Sequence, residues 1–155
     1  MINLGDTAVN KVVAGSANVI KIMAGDKKVW PPNFYQEDFS HTVGTEWTLG
    51  SFNQTTGDPG YIKASQSASA TLILPTMSTS GTFFAEVYCE FDGYKKIKLN
   101  GTTEWTASQT GAITTATFSL PSGDNTIVFE NNELPPPPQA NLPIFTIYKV
   151  WVELD

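Results

Sequence analysis

Apolar and polar residues alternate along most of this chain, with a period of two. In "TFFAEVYCEF" Phe83, Ala85, Val87, Cys89 and Phe91 fall on one face, while Glu86 and Glu90 fall on the other. Similar runs predict strands at 35–39, 46–50, 61–64, 70–74, 82–91, 96–99, 102–106, 112–120, 126–131 and 144–154. Helical periodicity is nearly absent. "VVAGSANVIKIMAG" tolerates a helix best, but its β-branched residues and regularly placed glycines oppose one. "LNGT" at 99–102 is a hairpin signal, because Asn-Gly accepts the positive φ angles of a type I′ turn, and "PSGDN" at 121–125 is a second turn. Four consecutive prolines in "ELPPPPQANLP" donate no ladder hydrogen bonds, so they predict an extended loop between the last two strands. Short strands with frequent turns indicate a jelly-roll β-sandwich.

The first thirty residues follow a different rule. Gly5, Gly15 and Gly25 recur every ten residues, each opening a similar phrase: Gly-Asp-Thr-Ala-Val, Gly-Ser-Ala-Asn-Val and Gly-Asp-Lys-Lys-Val. Each turn signal precedes a short β-prone run, at 9–13, 19–23 and 29–30. Three strands this short bury little by themselves, so the repeat is expected to gain stability by packing on another body. The apolar positions available for this are Val9, Val12, Val19, Ile20, Ile22, Val29 and Trp30. The expected organisation is all-β: a repeat segment at 1–32 for anchoring and oligomerisation, then an antiparallel jelly-roll sandwich at 33–155.

Composition narrows the function. Only 15% of residues are charged, against roughly 25% in ordinary soluble domains. The net charge is -6 and all nine basic residues are lysines. An acidic chain without arginine lacks the planar fork that reads guanine or phosphate, so nucleic acid is not an expected partner. No apolar run approaches the roughly 18 residues of a membrane span, and the start carries neither a basic nor a long apolar signal-peptide region. Cys89 is the only cysteine and reads as a packed core thiol.

Two resemblances add to this reading. Leu-Gly-Asp-Thr-Ala-Val-Asn-Lys-Val, repeated and ending in Lys-Lys-Val-Trp-Pro over about 2–32, resembles the tandem "LGDTxVxKV" phrases that open many bacteriophage and prophage structural proteins. The middle copy has Ser16-Ala17-Asn18 in place of Asp-Thr-x. This resemblance implies a virion component, a head fibre, a capsid decoration or a tail-associated protein, whose partners are other virion proteins. It is expected to be a homo-oligomer, with a trimer as the candidate state. The second resemblance covers about 36–153. "YQEDFS", "GYIKASQSASATLILP", "SGTFFAEVYCEFDG", "KLNGTTEW", "ATFSLPSGDNTIVFEN" and "FTIYKVWVE" occur in the order seen in galactose-binding-like jelly-roll carbohydrate-binding modules. It implies a host-surface glycan as ligand. That family often holds a structural calcium near its first strand, where Glu37 would be one acidic ligand. Its aspartate near the end of the closing strand is missing here, and Tyr148 stands near that place.

Catalytic chemistry is sparse. One histidine, His41, and one cysteine cannot build a multi-histidine or thiolate metal site within one chain, and no nucleophile elbow or phosphate loop is present. Carboxylates that could pair for glycoside hydrolysis include Glu37, Asp38, Glu46, Asp58, Glu86, Glu90, Asp92 and Glu104. Glu86 and Glu90 would stand about 13 Å apart along one strand, too far for a simple pair. The expectation is a non-enzymatic protein without a cofactor. Sugar rings stack on aromatic faces, which makes Trp47, Tyr61, Tyr94 and Trp105 the candidate platforms. The alternative to a virion role is a free carbohydrate-binding module.

Overall fold

The computed structural model describes residues 34–90, 95–107, 111–132 and 144–155, and the backbones of four short strands before them. The chain divides into two compact units, Met1–Asn33 and Phe34–Asp155.

In the first unit β1 (Val13–Ala14) pairs with β2 (Ala17–Asn18), and β3 (Ile22–Ala24) pairs with β4 (Lys27–Trp30). Both pairs are antiparallel, with Ala14 opposite Ala17 and Ala24 opposite Lys27. The repeat was expected to give three strands, each following a Gly-X turn. Instead Gly15-Ser16 and Gly25-Asp26 each connect the two strands of a hairpin. Val9, Val12, Val19 and Ile20 lie outside the described residues, while Ile22, Val29 and Trp30 lie within β3 and β4.

The second unit is an antiparallel jelly-roll sandwich, and no helix occurs among the described residues. Its strands are β5 (Tyr35–Glu37), β6 (Trp47–Thr48), β7 (Asn53–Thr55), β8 (Tyr61–Ala64), β9 (Ala68–Ile73), β10 (Gly81–Cys89), β11 (Lys95–Leu99), β12 (Thr102–Thr106), β13 (Ile113–Leu120), β14 (Thr126–Asn131) and β15 (Phe145–Leu154). One sheet runs β13-β10-β15-β8-β7, with β5 paired to the far end of β15, and the other runs β12-β11-β14-β9-β6. Phe83, Ala85, Val87 and Cys89 are buried as their phase predicts, and they meet Ile97, Ile127 and Phe129 of the facing sheet in one core cluster. Phe83 stacks on Phe118 at 4.8 Å and tilts against Phe129 at 6.2 Å.

The turns follow the sequence closely. Asn100 and Gly101 take φ of 49° and 89°, as the Asn-Gly hairpin requires. Asn125, in the second turn, donates to the Pro121 carbonyl at 2.9 Å, and Asn100 Oδ1 accepts from the Thr126 amide at 2.8 Å. The two turns are thus tied at one end of the smaller sheet. β7 was not expected, because "NQT" has no apolar alternation; it is an edge strand whose middle residue alone, Gln54, pairs with an inward residue, Ile62. The proline-rich loop lies outside the described residues.

Candidate functional site

Each sheet has an outward face, and the registers define both. On the larger sheet Phe84 lies opposite Trp151, Glu86 opposite Lys149 and Tyr88 opposite Thr146; on the other side of β15, Thr146 lies opposite Lys63. Tyr61 continues the β8 outward phase, and Gln36 lies beyond Trp151 on β5. Rings therefore cluster on this face. Phe84 and Trp151 stack at 4.9 Å and 5°, and the Lys149 ammonium sits 5.1 Å from the Trp151 ring centre. Tyr61 meets Tyr148 edge-on, with centroids 6.0 Å apart. Tyr88 is half-buried nearby; burial and then the Glu90 carboxylate raise its phenol above the ordinary value. Thr146, on the same face, is only 4% exposed, so the large neighbouring side chains close over it.

A β-bulge builds this face. β15 slips against β10 between Glu86 and Val87: Val87 pairs with Ile147, and Glu86 pairs with Lys149. Tyr148 is the extra residue. A bulge places two residues opposite one and bends the strand, so Tyr148 and Lys149 both stand over Glu86. Ile147, Val150 and Val152 stay fully buried. The core keeps its apolar contacts while the surface gains a ring.

The sequence-predicted platforms separate in the structure. Tyr61 belongs to the aromatic face. Trp47 does not stand as an exposed platform: it is 6% exposed, because β6 turns it inward opposite Leu72. There it stacks on Phe129 at 5.7 Å and meets Phe39 edge-on at 5.4 Å. Its indole N–H donates to the Tyr35 hydroxyl at 2.6 Å, which satisfies the one polar atom of the ring. Trp105 is half-buried on edge strand β12, opposite buried Ile97, and packs against the core cluster. Tyr94 lies outside the described residues. Phe84, Tyr88, Tyr148 and Trp151 were not anticipated as surface rings. The strict alternation of β10 carried the signal for the first two. For β15 the signal was a change of phase, with Phe145 and Ile147 apolar at odd positions and Val150 and Val152 at even ones.

The rim beside β5 holds the polar candidates. Glu37 Oε1 accepts from the Phe39 amide at 2.7 Å. Among the described residues there is no group of three or more His, Cys, Asp or Glu side chains that could hold a metal ion. Asp38 Oδ1 lies 2.6 Å from Ser40 Oγ, which is 2.9 Å from His41 Nδ1. The serine proton points to the carboxylate at the shorter contact, so His41 is not placed to accept it; a nucleophilic triad needs the histidine between the other two. Hydrogen bonds from the Ser40 side chain and amide hold the Asp38 carboxyl below its usual range. Gln54 donates to the carbonyls of His41 and Phe39, and a side chain at Gly60 would collide with the Phe39 carbonyl. This rim is a packed turn.

No protein family model matches the chain, and no curated protein does. Solved structures do. The chain is similar to a family 35 carbohydrate-binding module from Clostridium thermocellum, with a TM-score of 0.53 and 16% identity over 76% of this chain and 97% of that one. It is also similar to a mutant of a family 29 carbohydrate-binding module, with a TM-score of 0.51 and 12% identity over 72% of this chain and 84% of that one. The shared fold is the jelly-roll sandwich of carbohydrate-binding modules.

Proposed function

We propose that this chain is a non-enzymatic, glycan-binding structural protein of a bacteriophage particle, anchored through its N-terminal repeat and presenting its sandwich to host-surface sugars. The observation that carries glycan binding is the aromatic outward face on a fold shared with carbohydrate-binding modules. Rings backed by hydrogen-bonding groups are what a pyranose requires, since its C–H face packs on the ring while its hydroxyls reach polar side chains. The anchoring half of the reading is supported by the ten-residue repeat and its likeness to phage structural proteins. Its described strands form two-stranded hairpins, which are marginal in isolation and suit folding against partner chains, three of them in a trimer.

The reading is tested by immunogold labelling of intact particles with an antibody against 34–155, together with a glycan array probed with the full chain. Label on the capsid or tail with glycan retention is the expected result. A strictly monomeric protein whose incorporation into particles survives deletion of 1–32 contradicts the anchoring half. A second reading, a free carbohydrate-binding module, is favoured by one observation: the family 35 neighbour is matched over 97% of its length by the sandwich fold. Glycan retention without label on any particle selects it.

A further inference from the structure

We propose that the outward face of the larger sheet is the glycan site, and that it takes a linear, neutral glycan lying along β15 across two ring stations, Tyr61–Tyr148 and Phe84–Trp151. This rests on the glycan-binding reading and assigns it a place and a ligand class. The two stations stand three residues apart on β15, roughly 10 Å, about the length of a disaccharide. Between them lie Glu86 and Lys149, which offer an acceptor and a donor to hydroxyls.

Charge argues for a neutral ligand. The outward positions of this face carry Lys63 and Lys149 against Glu86, Glu90 and Glu153, so negative groups outnumber positive ones by one. An acidic glycan would gain no net attraction. Lys149 already spends its charge over the Trp151 ring, where a cation–π contact holds it. The bulge is the second argument. Removing Tyr148 would leave Lys149 opposite Glu86, Val150 opposite Ala85 and Trp151 opposite Phe84, as they are now. The core does not need this residue; the surface gains a ring from it. Bulges gather beside binding sites for this reason, because they re-aim side chains without disturbing the sheet.

The test is affinity electrophoresis of the full chain in gels containing soluble xylan, galactomannan, mixed-linkage β-glucan or polygalacturonate, with sedimentation velocity alongside. The native chain should be retarded by at least one of the three neutral polymers. Tyr148→Ala, Trp151→Ala and deletion of Tyr148 should each weaken that binding at least tenfold. The deletion should keep the native melting transition, which separates loss of the ring from loss of the fold. Unaltered retardation of all three variants overturns the site and leaves the glycan-binding reading standing. Retardation by polygalacturonate alone overturns the neutral class. A native dimer that Trp151→Ala dissociates, without retardation, means that a second copy covers the face. Absence of both retardation and dimer overturns the reading and the inference together.

Discussion

The two outward faces of the sandwich share one core yet differ in composition. The larger sheet carries Tyr61, Phe84, Tyr88, Tyr148 and Trp151 outward, with Tyr61 against Tyr148 and Phe84 against Trp151. The smaller sheet presents Lys96, Lys98, Thr71, Thr126, Val128 and Glu130, with Lys98 paired to Glu130 at 2.7 Å. Both sheets send mainly apolar residues inward, the smaller one adding buried Lys95 and Asn131, so the fold itself does not ask for rings on either surface. The smaller sheet shows the same fold with an outer face that carries no rings among the described residues, its apolar positions being Val128 and the 58% exposed Ile73. The excess of rings on the other face is therefore not a requirement of the fold.

The largest effect belongs to the shared core. Phe129, fully buried between Trp47 and Phe83, should cost about 3–5 kcal/mol as Phe129→Ala, read by denaturant unfolding, and should disturb both faces together. Next comes the polar link at the sandwich edge. Tyr35→Phe removes the hydroxyl that accepts from Trp47 and donates to Glu46 at 3.3 Å, leaving a buried indole N–H at a cost of about 1–3 kcal/mol. Burial pushes the Tyr35 phenol well above its ordinary value; the Trp47 hydrogen bond opposes this, and the Glu46 and Glu37 carboxylates add to it. The folded chain therefore keeps a proton that the unfolded chain loses above about pH 10. Stability should fall as pH rises beyond that point, and Tyr35→Phe should flatten the decline.

Smaller effects separate the faces. Trp151→Ala should lose about 0.5–1.5 kcal/mol of stacking beyond its area term, and should weaken glycan binding while the chain stays folded. Lys98→Ala, on the ring-free face, should cost about 0.2–1 kcal/mol and leave glycan binding unchanged. The smallest change is electrostatic. Ser40→Ala should raise the Asp38 midpoint toward the ordinary aspartate value in an NMR titration, with little change in melting.

Most of the sandwich was legible in the sequence, because alternation and turn chemistry are local. β10 and the Asn-Gly hairpin follow from residues a few positions apart. Trp47 was misplaced because β6 is two residues long, too short for a phase to show which side faces the core. β7 left no apolar trace, since its pairing with β8 defines it. Tyr148 depended on a bulge, and only the partner strand fixes where an extra residue is absorbed. The repeat announced its turns, but which strands pair across them is settled by backbone hydrogen bonding.

The most direct test of the difference between the faces is an amide NMR titration of the full chain with the neutral oligosaccharide matching whichever polysaccharide retards it. Shifts concentrated on β8, β10 and β15, around Tyr61, Phe84, Tyr148 and Trp151, are the expected result. Shifts confined to β9, β11 and β14 on the ring-free face, or to the rim at 37–41, would contradict it.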